Sequence, residues 1–195
     1  MFRDISGVIL AGGKSSRFGG QPKTKIIIGG NTILSKILRI FGGLFGEVII
    51  VTNTPDEYSE FKHYRIIRDL LRDMGPLGGL HAAMKATTKS ALFVVAGDMP
   101  FLEEDLIIRQ IRTFNEELCE AVIPVVNNLP EPLHAILSTS VLDKLEKHLT
   151  TEDDCSVMSF IKKLDVRYMK IPPSDPASRG FTNINSPSDL AEFYP

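Results

Sequence analysis

Short, continuously apolar runs alternate along this chain with stretches of helical spacing. The most apolar of these runs are Gly7–Ala11, Glu47–Thr52, Ala91–Ala96 and Ala121–Val126. Strands without polar alternation are buried on both faces, as in parallel sheets that are covered by helices. Between them, stretches such as Ile33–Phe41 and Glu103–Glu117 repeat apolar residues at helical spacing. The sequence therefore predicts an α/β fold with a mostly parallel sheet and helices on both faces.

The pattern becomes less regular after about residue 127. Leu133–Leu137 is predicted to be an edge strand, Val166–Ile171 a further strand, and 187–193 a final helix. In the first half, the glycine pair Gly42-Gly43 is predicted to end the first helix. No internal repeat or low-complexity tract divides the chain, so we expect one domain over 1–195, with halves of about 1–126 and 127–195.

Composition describes an ordinary globular protein. The chain has 195 residues, of which 43% are hydrophobic and 24% charged, enough to bury a core without disulfide bonds. Its two cysteines, Cys119 and Cys155, are far apart and match no metal-binding spacing. Two reduced thiols of this kind are typical of a cytoplasmic protein.

Charge and hydropathy exclude other classes of function. The formal net charge is −2, so no basic field favours nucleic acid or a membrane surface. No apolar stretch approaches the roughly 20 residues that cross a bilayer, and no secretory signal is visible. We expect a soluble, cytoplasmic protein that binds neither nucleic acid nor membranes and holds any anionic ligand locally.

The first strand leads directly into a loop rich in glycine and basic residues, Leu10–Lys23. Four glycines fall within nine residues of this loop, and glycine lets a backbone turn sharply and approach a ligand closely. Successive N–H groups in such a turn can form an anion site, to which Arg17 and Lys23 add positive charge. The loop is predicted to cradle a triphosphate at the carboxyl edge of the sheet. An ordinary surface loop with incidental charges is the alternative.

The spacing of this loop differs from that of two common phosphate-binding motifs. Gly13-Lys14-Ser15 matches the end of a Walker loop, but Val8 occupies the position where that motif needs its first glycine. The pattern Gly-x-Gly-x-x-Gly does not fit either. The sequence therefore does not favour a P-loop hydrolase or a dinucleotide-dependent dehydrogenase.

Two aspartates follow predicted strands. Asp98 comes directly after Ala91–Ala96, at the edge where α/β sheets bind ligands, and magnesium prefers one or two carboxylates together with phosphate oxygens. The alternative is that Asp98 caps the next helix. Asp69 follows a shorter strand and has a surface turn as its alternative, and Gly75 then opens a second glycine-bearing turn into a helix whose N-terminus favours negative charge.

Two asparagines near the end of the chain alternate along an extended segment. Asn183 and Asn185 therefore point their side chains the same way, and amide groups can donate or accept hydrogen bonds to a ligand. The alternative is a cap-and-turn arrangement that serves the predicted last helix.

Together these motifs resemble the nucleotidyltransferases of the nucleotide-sugar type. The resemblance is carried by five segments in the family's order: Leu10–Lys23, Asp69 with Gly75–Gly79, Gly97–Phe101, Glu131–Ala135 and Phe181–Pro187. The first loop and the Asp-x-Pro turn at Asp98–Pro100 are shared by many nucleotidyltransferases. The closing Asn-x-Asn-Ser-Pro at 183–187 is most similar to the molybdenum cofactor guanylyltransferases, which join GMP to molybdopterin.

The resemblance implies a fold, a reaction and a set of roles. The fold would be a Rossmann-like three-layer sandwich of the nucleotide-diphospho-sugar transferase type, with a nucleotide-binding first half and an acceptor-binding second half. GTP and molybdopterin would be the substrates, with Mg²⁺ held by Asp98. Lys23 and Arg17 would offset phosphate charge. The further nucleotide-binding residues would be Leu10, Ala11, Gly12, Gly13, Asn53, Asp69 and Gly75, and those on the acceptor side Asn183 and Asn185.

The resemblance also implies contacts with other proteins. Because molybdopterin is oxygen-labile, transient contact with proteins of molybdenum cofactor biosynthesis or with acceptor proteins is expected. The chain contains no identifiable docking helix, and a monomer is compatible with the sequence.

One position departs from the family pattern. The family commonly has an asparagine at the end of the second strand, where this chain has Val51, with Asn53 two residues later. Either Asn53 substitutes for it or the base is contacted differently. A molybdopterin cytidylyltransferase or another small nucleotidyltransferase is therefore an alternative, and a nucleotide-binding module without catalysis is an alternative of another class.

Overall fold

Strand β1 (Phe2–Leu10) lies inside the main sheet, between two parallel neighbours. The structure is a computed structural model that describes residues 1–12, 22–71, 73–184 and 189. On one side β1 pairs with β4 (Phe45–Val51) and on the other with β6 (Ala91–Ala96), so that Leu10 is opposite both Val51 and Ala96. Three strands therefore end at the same level of the sheet.

The remaining strands extend this sheet in both directions. They are β5 (Arg65–Ile67), β7 (Ala121–Val126), β8 (Leu129–Pro130), β9 (His134–Ser138) and β10 (Val166–Ile171). Within the described residues the sheet has eight strands in the order β10-β7-β9-β6-β1-β4-β5, with β8 paired to β7. Among the described strands of this sheet, only the pairs formed by β9 and β8 are antiparallel. A separate short hairpin joins β2 (Ile27–Ile28) to β3 (Asn31–Thr32).

Helices cover the sheet on both faces. They are α1 (Ile33–Leu44), α2 (Gly75–Ala86), α3 (Glu104–Glu116), α4 (Leu142–Thr151) and α5 (Val157–Ile161). The apolar sides of α1 and α3 join one buried cluster, whereas α2, α4 and α5 join another on the opposite face. Neighbouring residues Val8 and Ile9 of β1 point into different clusters, which explains why the strands are apolar without alternation. The predicted three-layer α/β fold is confirmed.

None of the described helices is long and apolar enough to span a membrane. The final helix predicted over 187–193 lies, apart from residue 189, outside the described residues.

The prediction of an edge strand over Leu133–Leu137 was wrong in its place in the sheet. The strand, β9, lies inside the sheet between β6 and β7 and runs antiparallel to both. Ala135 packs into one buried cluster and Ile136 into the other. Because both faces of the strand are apolar, an interior position buries more surface than an edge would.

The prediction that Gly42-Gly43 ends the first helix was also wrong. Thr32 caps the helix by accepting a hydrogen bond from the Ser35 N–H at 3.1 Å. The helix continues through both glycines to the buried Leu44, and β4 begins at the next residue. Two helical glycines cost about 1 kcal/mol each, and burial of Leu44, worth about 1.5–3 kcal/mol, offsets much of that cost.

The buried His134 predicts how the fold responds to acid. Its ring lies between Phe93 and Phe181, at centroid distances of 5.3 and 5.0 Å, and burial lowers its pKa from 6.5 to about 4. Below about pH 6.5 the unfolded chain binds a proton that the folded chain binds only near pH 4. The free energy of unfolding should therefore fall by up to about 3 kcal/mol across that window.

Urea unfolding at pH 7 and pH 4.5 measures this loss. The variant His134→Leu, which has no ionisable ring, should lose distinctly less stability between the two pH values. An equal loss in the variant and the parent chain would contradict the assignment to His134.

Candidate active site

A cavity of about 850 Å³ lies over the carboxyl ends of β1, β4 and β6. This volume is in the range of small-molecule sites, and the position is the usual one for ligands of α/β sheets. All predicted site residues within the described part of the chain line it: Leu10, Ala11, Gly12, Lys23, Asn53, Asp69, Gly75, Asp98 and Asn183. The predictions for Gly13, Arg17 and Asn185 fall outside the described residues.

Backbone hydrogen bonds continue past the strand ends and form the floor of the cavity. The Ala11 N–H donates to the Val51 carbonyl at 2.8 Å, and the Gly97 N–H donates to the Leu10 carbonyl at 2.9 Å. The Ala96 N–H donates to the Leu133 carbonyl at 2.9 Å. The first loop, the Gly97-Asp98 turn and the segment before β9 are thus connected at one edge.

Gly97 allows this floor to be close-packed. A Cβ atom at this position would lie 2.6 Å from the Thr24 methyl carbon and 3.0 Å from the Leu10 carbonyl oxygen. Both distances are shorter than ordinary van der Waals contact. The residue before Asp98 therefore needs to lack a side chain so that the first loop can pack against it.

An ion pair joins the first loop to the Gly97-Asp98 turn. The Lys23 Nζ lies 2.9 Å from Asp98 Oδ2, and the two side chains are 27% and 21% exposed. Lys23 begins a short 3₁₀ turn, Lys23–Lys25, that follows the loop. The alternative that Asp98 caps the next helix is wrong, because the residue at the N-cap of α3 is Glu103.

A second polar pair lies beside the end of β4. The Asn53 side-chain amide donates to Asp69 Oδ2 at 2.9 Å, and its oxygen accepts from the Asp69 N–H at 3.3 Å. Val51, at the end of the strand, is only 2% exposed and lines the apolar floor. Asn53 therefore reaches the cavity although it does not occupy the family's usual position.

The second half of the chain contributes the opposite wall. The Ile184 N–H donates to the Asp98 carbonyl at 3.0 Å, which brings Asn183 to the cavity. The Asn183 side-chain oxygen is buried and has no hydrogen-bond partner in the described part of the chain. Glu131 lines the same cavity, and burial raises the pKa of its carboxyl above the ordinary value.

Carboxylate and amide oxygens that line the cavity determine whether it could hold a metal ion. The described residues contain no cluster of three or more histidine, cysteine or acidic side chains that could form a complete metal site. Mg²⁺ needs less from a protein, since one or two carboxylates suffice when phosphates and waters complete its octahedron. Asp98, with the unpartnered oxygen of Asn183 on the same cavity, fits that requirement.

Sequence reasoning missed several residues of this cavity. Tyr58, Thr24 and Thr52 are buried polar residues that line it, and Thr54 lines it from an exposed position in the turn after β4. Tyr58 belongs to a short 3₁₀ segment, Pro55–Phe61, with a non-helical residue at Tyr58 itself. Such a segment has no periodic pattern, so no sequence signal marks its buried side.

The fold and the site together define a nucleotide-binding protein of the α/β class, with a lysine and an aspartate at the carboxyl edge of the sheet. The family model described as "MobA-like NTP transferase domain" matches residues 7–167. The chain belongs to the MobA-like NTP transferase family.

Individual relatives agree over nearly the whole chain. A molybdenum cofactor guanylyltransferase of Mesorhizobium japonicum is 32% identical, over 98% of this chain and 95% of the relative. One of Desulfosudis oleivorans is 31% identical, over 95% of this chain and 92% of the relative. The crystal structure of molybdopterin-guanine dinucleotide biosynthesis protein A from Archaeoglobus fulgidus superposes with a TM-score of 0.79 at 25% identity, covering 96% of this chain and 95% of that one.

The close contact at Gly97 gives a testable consequence. In Gly97→Ala the added methyl group meets Thr24 and the Leu10 carbonyl, so the free energy of unfolding should fall by roughly 1–3 kcal/mol. Gly43→Ala is the matched control, because a Cβ atom there meets nothing within 4 Å and lies in the exposed last turn of α1. The control should be neutral or more stable by up to about 1 kcal/mol. Urea unfolding measures both, and equal effects would contradict the packing argument.

Proposed function

We propose that this chain transfers GMP from GTP to molybdopterin, giving molybdopterin guanine dinucleotide and pyrophosphate. The observation that carries the proposal is the Lys23–Asp98 pair, 2.9 Å apart at the carboxyl edge of the sheet, in a cavity bordered by both halves of the chain. The names of the aligned relatives from Desulfosudis oleivorans and Mesorhizobium japonicum support the choice of substrates. We place the reaction in the cytoplasm.

The nucleotide would lie along the floor of the cavity. Leu10, Ala11 and Gly12 would contact the nucleoside side. Hydrogen bonds hold the backbone of Leu10 to Gly97 and that of Ala11 to Val51. Among the described residues, no atom lies within 4 Å of where a Cβ atom of Gly12 would be. A ligand can therefore approach the backbone closely at this point.

The phosphates would lie at the Lys23–Asp98 end. Asp98 would hold Mg²⁺, which neutralises phosphate charge when it is bound, and Asn183 would add an oxygen on the acceptor side. Lys23 would then donate to phosphate oxygens, since Asp98 no longer needs to balance its charge. Arg17 is proposed to act on the same charge. Positioning and charge neutralisation supply most of the acceleration in this kind of reaction.

The chemical step needs no base from the protein. The terminal phosphate of molybdopterin is an anion that attacks the α-phosphorus of GTP, and pyrophosphate leaves with the bonding electron pair. None of the four histidines of the chain lines the cavity within the described residues. The two acidic residues near the acceptor side, Asp98 and Glu131, would be used for binding rather than for proton transfer.

Asp69 supports guanine as the base. The pairing edge of guanine presents two neighbouring N–H donors, which match the two acceptor oxygens of a carboxylate. Asn53 holds Asp69 by two hydrogen bonds, one donated to its carboxylate and one accepted from its backbone N–H. Val51 beside it offers no polar side-chain atom. Cytosine presents an acceptor where guanine has a donor, so the same carboxylate would repel it.

Pyrophosphate release tests the reaction. With GTP, molybdopterin and Mg²⁺ the chain should release pyrophosphate, and omission of any one of the three should abolish the release. Asp98→Asn should lower the rate by about 10²-fold or more, since it removes the charge that holds the metal ion. Asp153→Asn, at an exposed position that does not line the cavity, is the control and should keep the full rate. Activity with CTP alone would make the chain a cytidylyltransferase instead.

Titration calorimetry with each nucleoside triphosphate tests the role of Asp69. Asp69→Asn replaces one acceptor oxygen by a donor, so GTP affinity should fall by about tenfold or more, the value of one hydrogen bond to a charged group. Binding of the other triphosphates should change little. The ratio of the affinity for GTP to the affinity for the other triphosphates should therefore fall. An equal loss for all four nucleotides would assign Asp69 to the shape of the site rather than to the base.

A further inference from the structure

Tyr58 is the largest fully buried side chain that lines the cavity. Its hydroxyl donates a hydrogen bond to the Ala11 carbonyl at 3.1 Å and lies 2.8 Å from Thr24 Oγ1. Ala11 is at the start of the glycine loop and Thr24 directly follows its end at Lys23. One hydroxyl group therefore contacts both ends of the loop.

The direction of these two hydrogen bonds follows from their chemistry. A carbonyl oxygen only accepts, so the single hydrogen of Tyr58 is directed to Ala11. Thr24 must then be the donor to Tyr58. Burial raises the pKa of Tyr58, with smaller opposing effects of hydrogen bonds from Thr24 and Thr52, so the hydroxyl remains protonated at neutral pH and the arrangement persists.

Thr24 is held on its other side by Gly97. It is 2% exposed, and its methyl group occupies the space that a side chain at residue 97 would fill. The residues next to this contact in sequence are Lys23 and Asp98, the two members of the partly exposed ion pair. A buried row of Tyr58, Thr24 and Gly97 thus lies directly behind the pair.

We propose that Tyr58 is a positioning residue for the nucleotide site. Its hydroxyl holds Ala11 and Thr24 at a set separation, which keeps Lys23 in place against Asp98 before the nucleotide binds. The inference rests on the proposed function only in naming GTP as the ligand. Because the fold already orders both ends of the loop, that ordering does not have to be achieved during binding, and affinity is higher.

Tyr58→Phe removes the hydroxyl and keeps the ring. We expect the KM and the calorimetric Kd for GTP to rise about tenfold, because the two ends of the loop are no longer held in place before the nucleotide binds. The value of kcat should change by less than about threefold at saturating GTP. A residue that only stabilised the fold would instead lower the melting temperature and the active fraction and leave KM unchanged.

Two further variants make the comparison specific. Thr24→Val removes the partner hydroxyl at nearly constant shape, so it should reproduce the effect, and the double variant with Tyr58→Phe should be little worse than either single one. Tyr64→Phe is the control, because the Tyr64 hydroxyl has no hydrogen bond in the described part of the chain and does not line the cavity. It should leave KM unchanged. If Tyr58→Phe fails to fold, Thr24→Val alone decides the outcome.

Amide hydrogen exchange of the free chain provides a readout that needs no nucleotide. Exchange at Ala11, Gly12 and Thr24–Ile26 should become faster in Tyr58→Phe and stay the same in Tyr64→Phe. Unchanged exchange, or an unchanged KM in a folded Tyr58→Phe variant, would overturn the proposal. If the parent chain bound another triphosphate in place of GTP, the proposed function would fail, and the ratio of variant to parent affinity for that triphosphate would still test Tyr58.

Discussion

The parallel pairing of β1 with β4 and with β6 is the interaction on which the rest of the site depends. It sets Leu10 opposite both Val51 and Ala96, so three strands end at one level. The hydrogen bonds that follow, from Ala11 to Val51 and from Gly97 to Leu10, carry this alignment into the loops. A shift of one residue in either pairing would exchange the two faces of the strand and also separate the loops that carry the charged groups.

The charged groups themselves are partly exposed, whereas the contacts that position them are buried. The Lys23 and Asp98 side chains reach solvent, and an exposed ion pair alone stabilises a fold by only about 0–1 kcal/mol. Their separation is set by the backbone of Leu10 and Gly97 and by Thr24, which is buried between Gly97 and Tyr58. The fold therefore fixes the positions of the two charged groups and leaves them accessible to a ligand. A site that transfers phosphate groups requires both, because it works by positioning and charge neutralisation.

The sequence was sufficient for those features that depend on local pattern. Ala91–Ala96, Ala121–Val126 and Val166–Ile171 were predicted with both boundaries as the structure has them. Each is a short segment rich in β-forming apolar residues that ends at a polar residue, a proline or a glycine. Asp69 and Asp98 were placed at the cavity for a similar reason, since carboxyl ends of parallel strands meet at one edge. The β9 strand was found but misplaced, because local pattern does not distinguish an apolar edge strand from an interior one.

Contacts between distant residues had to come from the tertiary structure. The Tyr58 hydroxyl meets Ala11 across 47 positions and Thr24 across 34, and Asn53 meets Asp69 across 16. A side chain's own neighbours in sequence determine whether it lies on a strand or a helix, but its partner depends on how whole elements pack. Apolar runs and strand-end aspartates therefore predicted the class of fold and the edge of the sheet at which the cavity lies. Two features arise only when the whole sheet has formed and both halves of the chain pack together. They are the buried row behind Lys23 and Asp98 and the cavity wall that Asn183 and Glu131 add.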